Sequence, residues 1–552
     1  MLIRTKENTF LVRFQDGRER SFIKGTTLLE IMDLDRPPES RTIVLAKVNN
    51  RIRSLHNRID ENCRIEWLTV RTMEGIRAYQ QTLCLVLIKA VQELYPKHRL
   101  LIDHSLGKGL YCEFKNGRST NRTMIRRIEK RMRQIIRNDE PIQPVEMTRT
   151  AFGEYLRKKA GELTGEERTH ITVFRCGNAT EYLGYPLFPS TGKLKAFGLR
   201  AWPPGMILRF SEETNFDRLS AFTKPKNLFR VFNETRKWEN ILHIESTAEI
   251  NRAAEFGALS DLIKIAEGFH EKKIAAIADA ITRRSRKLRV VLIAGPSSSG
   301  KTTFAKRLSI QLRVNGLVPL ALSTDDYFMD NEKAPRDALG NPDFESIHTL
   351  DIPRFNADLL ALMQGRNVHL PRFDFKTGKR IPGPHVQIGK DSPVLIEGLH
   401  ALNESLTTLI PSKNKFKVYV SALTQLNISD SLRVSTSDVR LIRRLVRDSL
   451  FRNHSASFTL STWQQVRAGE EKYIFPFQEE ADVIFNSSLM YEPSILRGFV
   501  QPLLEKVPGN SPAYPEAQRM LEFLFFFKPV PSTEVLSNSI LREFIGGSSF
   551  EY

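Results

Sequence analysis

A short apolar segment, Leu288-Arg-Val-Val-Leu-Ile-Ala294, runs straight into Gly295-Pro-Ser-Ser-Ser-Gly-Lys-Thr-Thr303 and then into the helical stretch Phe304–Arg313. This order of strand, loop and helix constrains the chain more than any other feature, because Gly-x-x-x-x-Gly-Lys-Ser/Thr is the pattern of a triphosphate-binding loop. Glycines at 295 and 300 let the backbone curl until its N–H groups converge on phosphate oxygens, and the following helix offers its positive N-terminus to the same anion. Lys301 is placed to reach the β- and γ-phosphates and the Thr302 hydroxyl to ligate Mg²⁺, with Pro296, Ser297, Ser298, Ser299 and Thr303 completing the cradle. A chance glycine-serine turn would require neither the buried-type strand before it nor the amphipathic helix after it.

At 552 residues the chain exceeds what one hydrophobic core supports, which predicts two to four domains, and 41% hydrophobic residues suffice to fill them. Cysteines 63, 84, 112 and 176 form neither a CxxC pair nor a regular framework, so the expectation is four reduced core thiols and a cytoplasmic protein. The longest apolar runs, Leu83–Ile88 and Phe523–Phe527, fall far short of the ~20 residues that span a bilayer, so no membrane partner is expected. The net charge of +19 is uneven: residues 1–290 carry 53 Lys+Arg against 35 Asp+Glu, residues 291–552 only 29 against 28. A near-neutral back half behind a basic front half suggests that residues 1–290 meet an anion such as RNA or tRNA; a solvated basic surface without a ligand explains the charge equally well.

Residues 1–70 alternate with period two (Phe10-Leu-Val-Arg-Phe14, Arg20-Ser-Phe-Ile23) around the turn signal Asp16-Gly17, with a helical stretch at Thr27–Met32. That is the element order of a small β-grasp domain. A helix is predicted from about Glu74 through Leu94, broken at Pro96, then a strand-turn-strand over Arg99–Phe114 with Gly107 and Gly109. Thr123–Arg137 places Ile125, Ile128, Met132, Ile135 and Ile136 on one helical face with a basic remainder, read as a solvated face with RNA contact as the alternative. A connector from about Arg236 to Arg286 contains a helix with Leu262, Ile263, Ile265, Ala266, Phe269, Ile274, Ile277 and Ile281 directed at a neighbour.

Asp16-Gly17, Ala46-Lys-Val-Asn-Asn50, Leu101-Ile-Asp-His-Ser-Leu-Gly-Lys-Gly-Leu-Tyr111 and Glu129-Lys-Arg-Met132 resemble the TGS and editing-type domains of threonyl-tRNA synthetase, over about residues 1–235. The editing cleft of that family needs a HxxxH pair in its first helix and a later Cys/His pair. Here the helix reads Tyr79-Gln-Gln-Thr-Leu-Cys-Leu85 and the later stretch Glu181-Tyr-Leu-Gly-Tyr-Pro-Leu187, leaving neither a metal site nor a general base for ester hydrolysis. The resemblance therefore implies a scaffold or ligand-binding domain.

Downstream of the loop, Leu317–Leu322 gives way to Ser323-Thr-Asp-Asp-Tyr-Phe328, which puts adjacent carboxylates at the C-terminal end of a strand, where open α/β sheets bind ligands. A phosphoryl acceptor hydroxyl needs such a carboxylate to take its proton. Pro393-Val-Leu-Ile-Glu397-Gly398 is a second buried-type strand ending in an acid that can hold Mg²⁺ directly or through water. Arg440, Arg443, Arg444 and Arg447, spaced by one, three and four on one helix, suit a lid closing over triphosphate; ion pairs to Asp438 and Asp448 are the alternative.

In this order, Gly295–Thr303, Asp325-Asp-Tyr-Phe328, Leu370-Pro-Arg-Phe-Asp-Phe375, Ile396-Glu-Gly398, Arg443-Arg-Leu-Val-Arg-Asp448 and Ala481-Asp-Val-Ile-Phe485 resemble the uridine kinase and phosphoribulokinase family over about residues 288–487. The resemblance implies Asp325 as catalytic base, Glu397 as a Mg²⁺-associated acid together with Thr302 and Asp325, and Arg444, Arg447 and Arg452 as phosphate or lid contacts. It puts Glu345 on ribose hydroxyls and Asp326, Tyr327, Phe373 and Phe375 about the acceptor. Asp326 stands where uridine kinases commonly carry serine, so either Asp325 or Asp326 is the base. In Phe373-Asp-Phe-Lys-Thr-Gly378, phenylalanine replaces tyrosine and glycine replaces histidine, removing two base-directed polar groups.

The expected fold is thus an α/β P-loop kinase, a parallel sheet with flanking helices, behind a small β-grasp domain and an α+β domain. The expected divisions are 1–72, 73–235, 236–287, 288–505 and a helical tail 506–552. The expected activity is ATP- and Mg²⁺-dependent transfer to the 5′-hydroxyl of a uridine- or cytidine-like nucleoside. The alternatives are a nucleotide-switched RNA/tRNA-binding protein and a phosphoribulokinase-like sugar kinase, with a homo-oligomer left open.

Overall fold

The computed structural model describes residues 8–115, 117–158, 170–212, 215–285, 288–336, 340, 343–374, 377–389 and 392–551. At the front, five strands form a mixed sheet in the order Glu19–Ile23, Thr9–Phe14, Cys63–Thr69, Ile43–Val48, Arg51–Ser54. Only the Thr9–Phe14 and Cys63–Thr69 pair is parallel. Period-two alternation sends Phe10, Val12 and Phe14 inward against Leu28 and Ile31 of the helix Leu28–Asp35. The Thr27 hydroxyl accepts from the Glu30 amide while Glu30 reaches back to Thr27, a capping box that fixes where this helix begins. Gly17 closes the first hairpin at φ +85°, as the Asp-Gly signal predicts.

The helix Met73–Leu94 then packs on a sheet ordered Gly198–Trp202, Gly205–Arg209, Gly109–Phe114, Leu100–Ser105. Helix Arg122–Arg137 turns Ile125, Ile128, Met132 and Ile135 into the same core, with Ile136 half-buried at its rim. All four cysteines are free and buried.

The connector is three helices, Lys226–Leu242, Thr247–Glu255 and Leu259–Arg283. Position 235, expected to end a domain, lies inside the first of them. In the third, Leu262, Ile263, Ile274, Ile277 and Ile281 are buried as predicted, whereas Ile265 is exposed. This helix lies against Lys301–Val314, where buried Arg307 donates to Glu267 (3.3 Å) and Glu271 (2.7 Å).

Five strands build the parallel sheet, ordered Leu320–Ser323, Val394–Glu397, Val290–Ala294, Lys415–Ser421, Val483–Asn486. The central strand Val290–Ala294 is buried at every position, which its unbroken apolar run requires of a strand covered on both faces. Helices Glu492–Glu505, Tyr514–Leu524 and Arg542–Ile545 follow, and their apolar faces join the core of this sheet. Among the described residues no helix is long and apolar enough to cross a membrane.

Candidate active site

The loop after Val290–Ala294 turns on backbone that few side chains tolerate. Ser298 has φ +58° and Gly300 φ +83°, and a Cβ at Gly295 would collide with the Val420 carbonyl. The loop is held from behind. Arg440 Nε donates to the Ser297 carbonyl (2.9 Å), Arg443 Nη1 to the Ser298 carbonyl (3.4 Å), and the Ser487 hydroxyl to the Ser299 carbonyl. Arg440 pairs with Glu470 and Arg443 with Glu492 (2.6 Å), all four side chains being buried to within 1%. Glu470 also accepts from the Ser297 amide at 3.0 Å. These two arginines, expected in the lid, are instead fixed bolts: their charges are consumed by buried carboxylates and cannot swing onto a ligand.

Arg444 and Arg447 stand on the same helix, Thr436–Phe451, and Arg452 is its C-cap residue. Arg444 Nη1 donates to the Ser297 hydroxyl (2.9 Å). Buried Asp448 gathers all three guanidinium groups, at 3.2 Å from Arg444, 2.8 Å from Arg447 and 3.8 Å from Arg452. Burial alone would raise the Asp448 carboxyl, but Arg447 and Arg444 outweigh it and hold it below the usual range. Burial and the charge of Arg447 push Arg452 down to about 10.

Two carboxylates meet where neighbouring strands end together. Ser323 and Glu397 are partners in register, and the Ser323 hydroxyl donates to Glu397 (3.1 Å) while accepting from the Asp325 amide (3.3 Å). Asp325 is raised by burial, against the pull of Lys301, Arg452 and Arg447, which places it within the field of all three cations. Glu397 is pushed up to about 7 by burial and by the charge of Asp325. Two acids that each oppose ionisation of the other suit a divalent cation between them. Among the described residues no group of three or more acidic, histidine or cysteine side chains is arranged to hold a metal alone. A cation bound here would therefore complete its shell with phosphate oxygens and water, the habit of Mg²⁺. The structure carries the Thr302 side chain half-buried on the first turn of the loop helix.

The adjacent aspartates divide. Asp326 accepts from the Phe373 amide (3.3 Å) and so ties the turn to the hairpin Val368–Asp374/Lys379–Val386, while Asp325 lies within the electrostatic reach of Lys301, Arg452 and Arg447. Tyr327, expected near the acceptor, is a core residue: it is 1% exposed, its hydroxyl donates to Asp358 (3.2 Å) and its ring packs edge-on against Phe355. Phe373 is buried against Phe328 (5.6 Å, edge-on), and Phe375 lies outside the described residues. Lys301 Nζ folds back to the Pro296 carbonyl at 3.2 Å.

Glu345 sits between the two halves of the site. Burial and the charge of Glu470 push it up to about 7, against Arg444 and Lys301, and its Oε2 has no hydrogen-bond partner among the described residues. Beside it lies His400, 2% exposed and pushed down to about 4 by burial, against a hydrogen bond with the Glu345 backbone. His400 was legible as a polar group three positions after Glu397 at a strand end, yet was not singled out. Glu470, Glu492 and Glu543 gave no local signal.

With the geometry in place, comparison with known proteins divides the chain in two. Residues 290–490 match the model of the Phosphoribulokinase / Uridine kinase family. The front matches threonine–tRNA ligases: that of Desulforamulus reducens is 29% identical over 239 residues, covering 41% of this chain and 38% of the ligase. That of Thermotoga neapolitana is 30% identical over 191 residues, covering 33% and 29%. The chain thus spans well under half the length of these curated relatives. Among solved structures, one described as a possible uridine kinase from Bacillus stearothermophilus is 20% identical, covers 36% of this chain and 88% of that one, and superposes with a TM-score of 0.25. Both halves of the resemblance read from the sequence are borne out, as is the fold class of a P-loop kinase module behind mixed α/β domains.

Proposed function

We propose that the protein is an ATP- and Mg²⁺-dependent kinase that phosphorylates the 5′-hydroxyl of a nucleoside. The observation that carries this reading is the position of Asp325: beside Glu397 at the ends of adjacent parallel strands, in the field of Lys301, Arg447 and Arg452. An alcohol held there has a carboxylate to take its proton and cations to stabilise charge on the transferring phosphoryl group. Asp325, Glu397 and the Thr302 hydroxyl would hold Mg²⁺, which would supply positive charge against the negative phosphates. Half-buried Glu345, with Oε2 unpartnered among the described residues, suits ribose hydroxyls, and the apolar Phe373 gives the base no polar partner.

The test is a panel of nucleosides and ribose phosphates incubated with the full chain and Mg-ATP. Nucleoside 5′-monophosphate is expected, and Asp325→Asn should lower kcat by roughly 10²–10⁴, the size of a general-base contribution. Phosphorylation of a sugar phosphate alone would move the assignment to a sugar kinase, and turnover of nothing in the panel would refute it.

A second reading has its own observation. On helix Arg122–Arg137, Arg122, Arg126, Arg127 and Lys130 are exposed and have no partner among the described residues. Arg51, Arg53 and Arg58 line a separate groove of about 750 Å³, together with Asp60 and Glu61, between the front sheet and Gly509 and Tyr514. This supports binding of RNA or tRNA phosphates by the front half.

A further inference from the structure

The first turn of a helix leaves its amides without internal partners, and in Lys301–Val314 those amides form the seat that a phosphate would take. One of them is already taken. Glu543, 240 positions further along the chain, places Oε2 at 3.1 Å from the Thr303 amide and 2.7 Å from the Thr303 hydroxyl, accepting from both. The charge of Glu543 is also felt at Glu397, which it helps to push up.

Glu543 is delivered there by a segment that is firmly anchored. Ser539, Ile540, Leu541 and Phe544 are fully buried, Ile540 lies so close to Gly300 that a Cβ there would strike it, and Phe544 lies beneath the Arg443 guanidinium (5.1 Å). Arg542 staples the segment to itself through the carbonyls of Ser532 (3.0 Å) and Val535 (2.6 Å). Burial of three large apolar side chains outweighs one carboxylate contact, so the segment stays docked and the Glu543 side chain is the part free to move.

We propose that the C-terminal segment Ser539–Ile545 forms a wall of the nucleotide site and that Glu543 is an internal competitor for its phosphate seat. This rests on the reading of the loop as a nucleoside triphosphate site. Without nucleotide the carboxylate satisfies the Thr303 amide and holds the helix end in shape. A phosphate oxygen arriving at the same amide meets a fixed negative charge, so Glu543 must rotate away before the amide can be shared with the ligand. The charge thereby sets a threshold for nucleotide occupancy, and Glu543 acts as a positioning residue on the helix rather than on the reacting atoms.

The test uses the full chain, wild type and Glu543→Gln, titrated with ATP by calorimetry and melted with and without saturating ATP. The variant is expected to bind ATP about tenfold more tightly, within the range of a charge effect at a partly buried helix end. It should melt lower than wild type without nucleotide and draw level with it at saturation, because a bound phosphate replaces the missing cap. Equal or weaker binding by the variant, with a melting deficit that persists at saturation, makes Glu543 a purely structural cap and overturns the proposal while leaving the nucleotide reading intact. Binding by neither protein overturns the nucleotide reading and this proposal with it.

Discussion

Glu397 carries the pH dependence of the site. Its carboxyl is pushed up from the usual 4.5 to about 7 by burial and by Asp325, so the folded protein binds a proton that the unfolded chain has already released. The sign follows: this group's contribution to stability is complete below about 4.5 and is lost as pH rises through 7. Glu397→Gln should therefore melt above wild type at pH 8 in the absence of divalent cation and match it at pH 4.5, as thermal denaturation at the two values will measure. Millimolar Mg²⁺ with ADP should raise the wild type at pH 8 by more than it raises the variant. A residue-level contrast of the same kind separates the two aspartates. Nothing in Asp325-Asp326 distinguishes them locally; Asp326 is claimed by the Phe373 amide and Asp325 is left to the cations, a division that depends on a hairpin more than forty residues away.

At the scale of elements, the helix Thr436–Phe451 does two jobs with one run of arginines. Its inner arginines, Arg440 and Arg443, fasten the phosphate loop to Glu470 on Ala456–Tyr473 and to Glu492 on Glu492–Glu505, while Arg444 and Arg447 face the loop from the side that Asp448 organises. Removing one partner of a buried pair strands the other charge, so Arg443→Ala should destabilise the fold by about 3–5 kcal/mol. The double change Arg443→Met with Glu492→Leu, which strands nothing, should recover most of that loss. Urea denaturation of the three proteins measures both. The spacing of three and four residues placed these arginines on one helix, and that much was legible. Which of them was a bolt depended on carboxylates delivered by two other helices, which no periodicity reports. Tyr327 failed as an acceptor-site residue for a similar reason: its neighbours in the chain are site residues, but its hydroxyl finds Asp358 on Ile352–Met363.

Over the whole molecule, the front half and the tail are tied to the parallel-sheet module by charge. Arg99 and Lys115 meet Asp430 in the segment after Lys415–Ser421, and Asn427 donates to the Ile102 carbonyl (3.1 Å). Arg77 pairs with Glu516 (2.9 Å), which pairs with Arg519 (2.6 Å), which in turn pairs with Asp438 (2.6 Å) at the start of the arginine helix. Arg77 of the front half is thus linked by a short chain of ion pairs to the helix that flanks the phosphate loop. Replacing Arg122, Arg126, Arg127 and Lys130 together by glutamine should leave the fold intact, since all four are exposed. If they neutralise RNA phosphates, the slope of log affinity against log salt for tRNA should fall by about three units. Filter binding across a salt series reads the slope; an unchanged slope assigns the basic face to solvent.

What the amino-acid sequence by itself determined is what neighbours within a few residues decide. That includes the alternating strands and Asp-Gly turn of the front sheet, the buried stripe on Arg122–Arg137, the buried central strand Val290–Ala294, and the phosphate loop whose glycines permit φ values that side chains resist. Only the tertiary structure decided which charges face one another: Arg443 on Glu492, Asp325 rather than Asp326 toward Lys301, and Glu543 on the Thr303 amide across 240 positions. Backbone preference is local, whereas the partner of a buried charge is whichever opposite group the packing brings within reach, and a residue's identity does not carry that information.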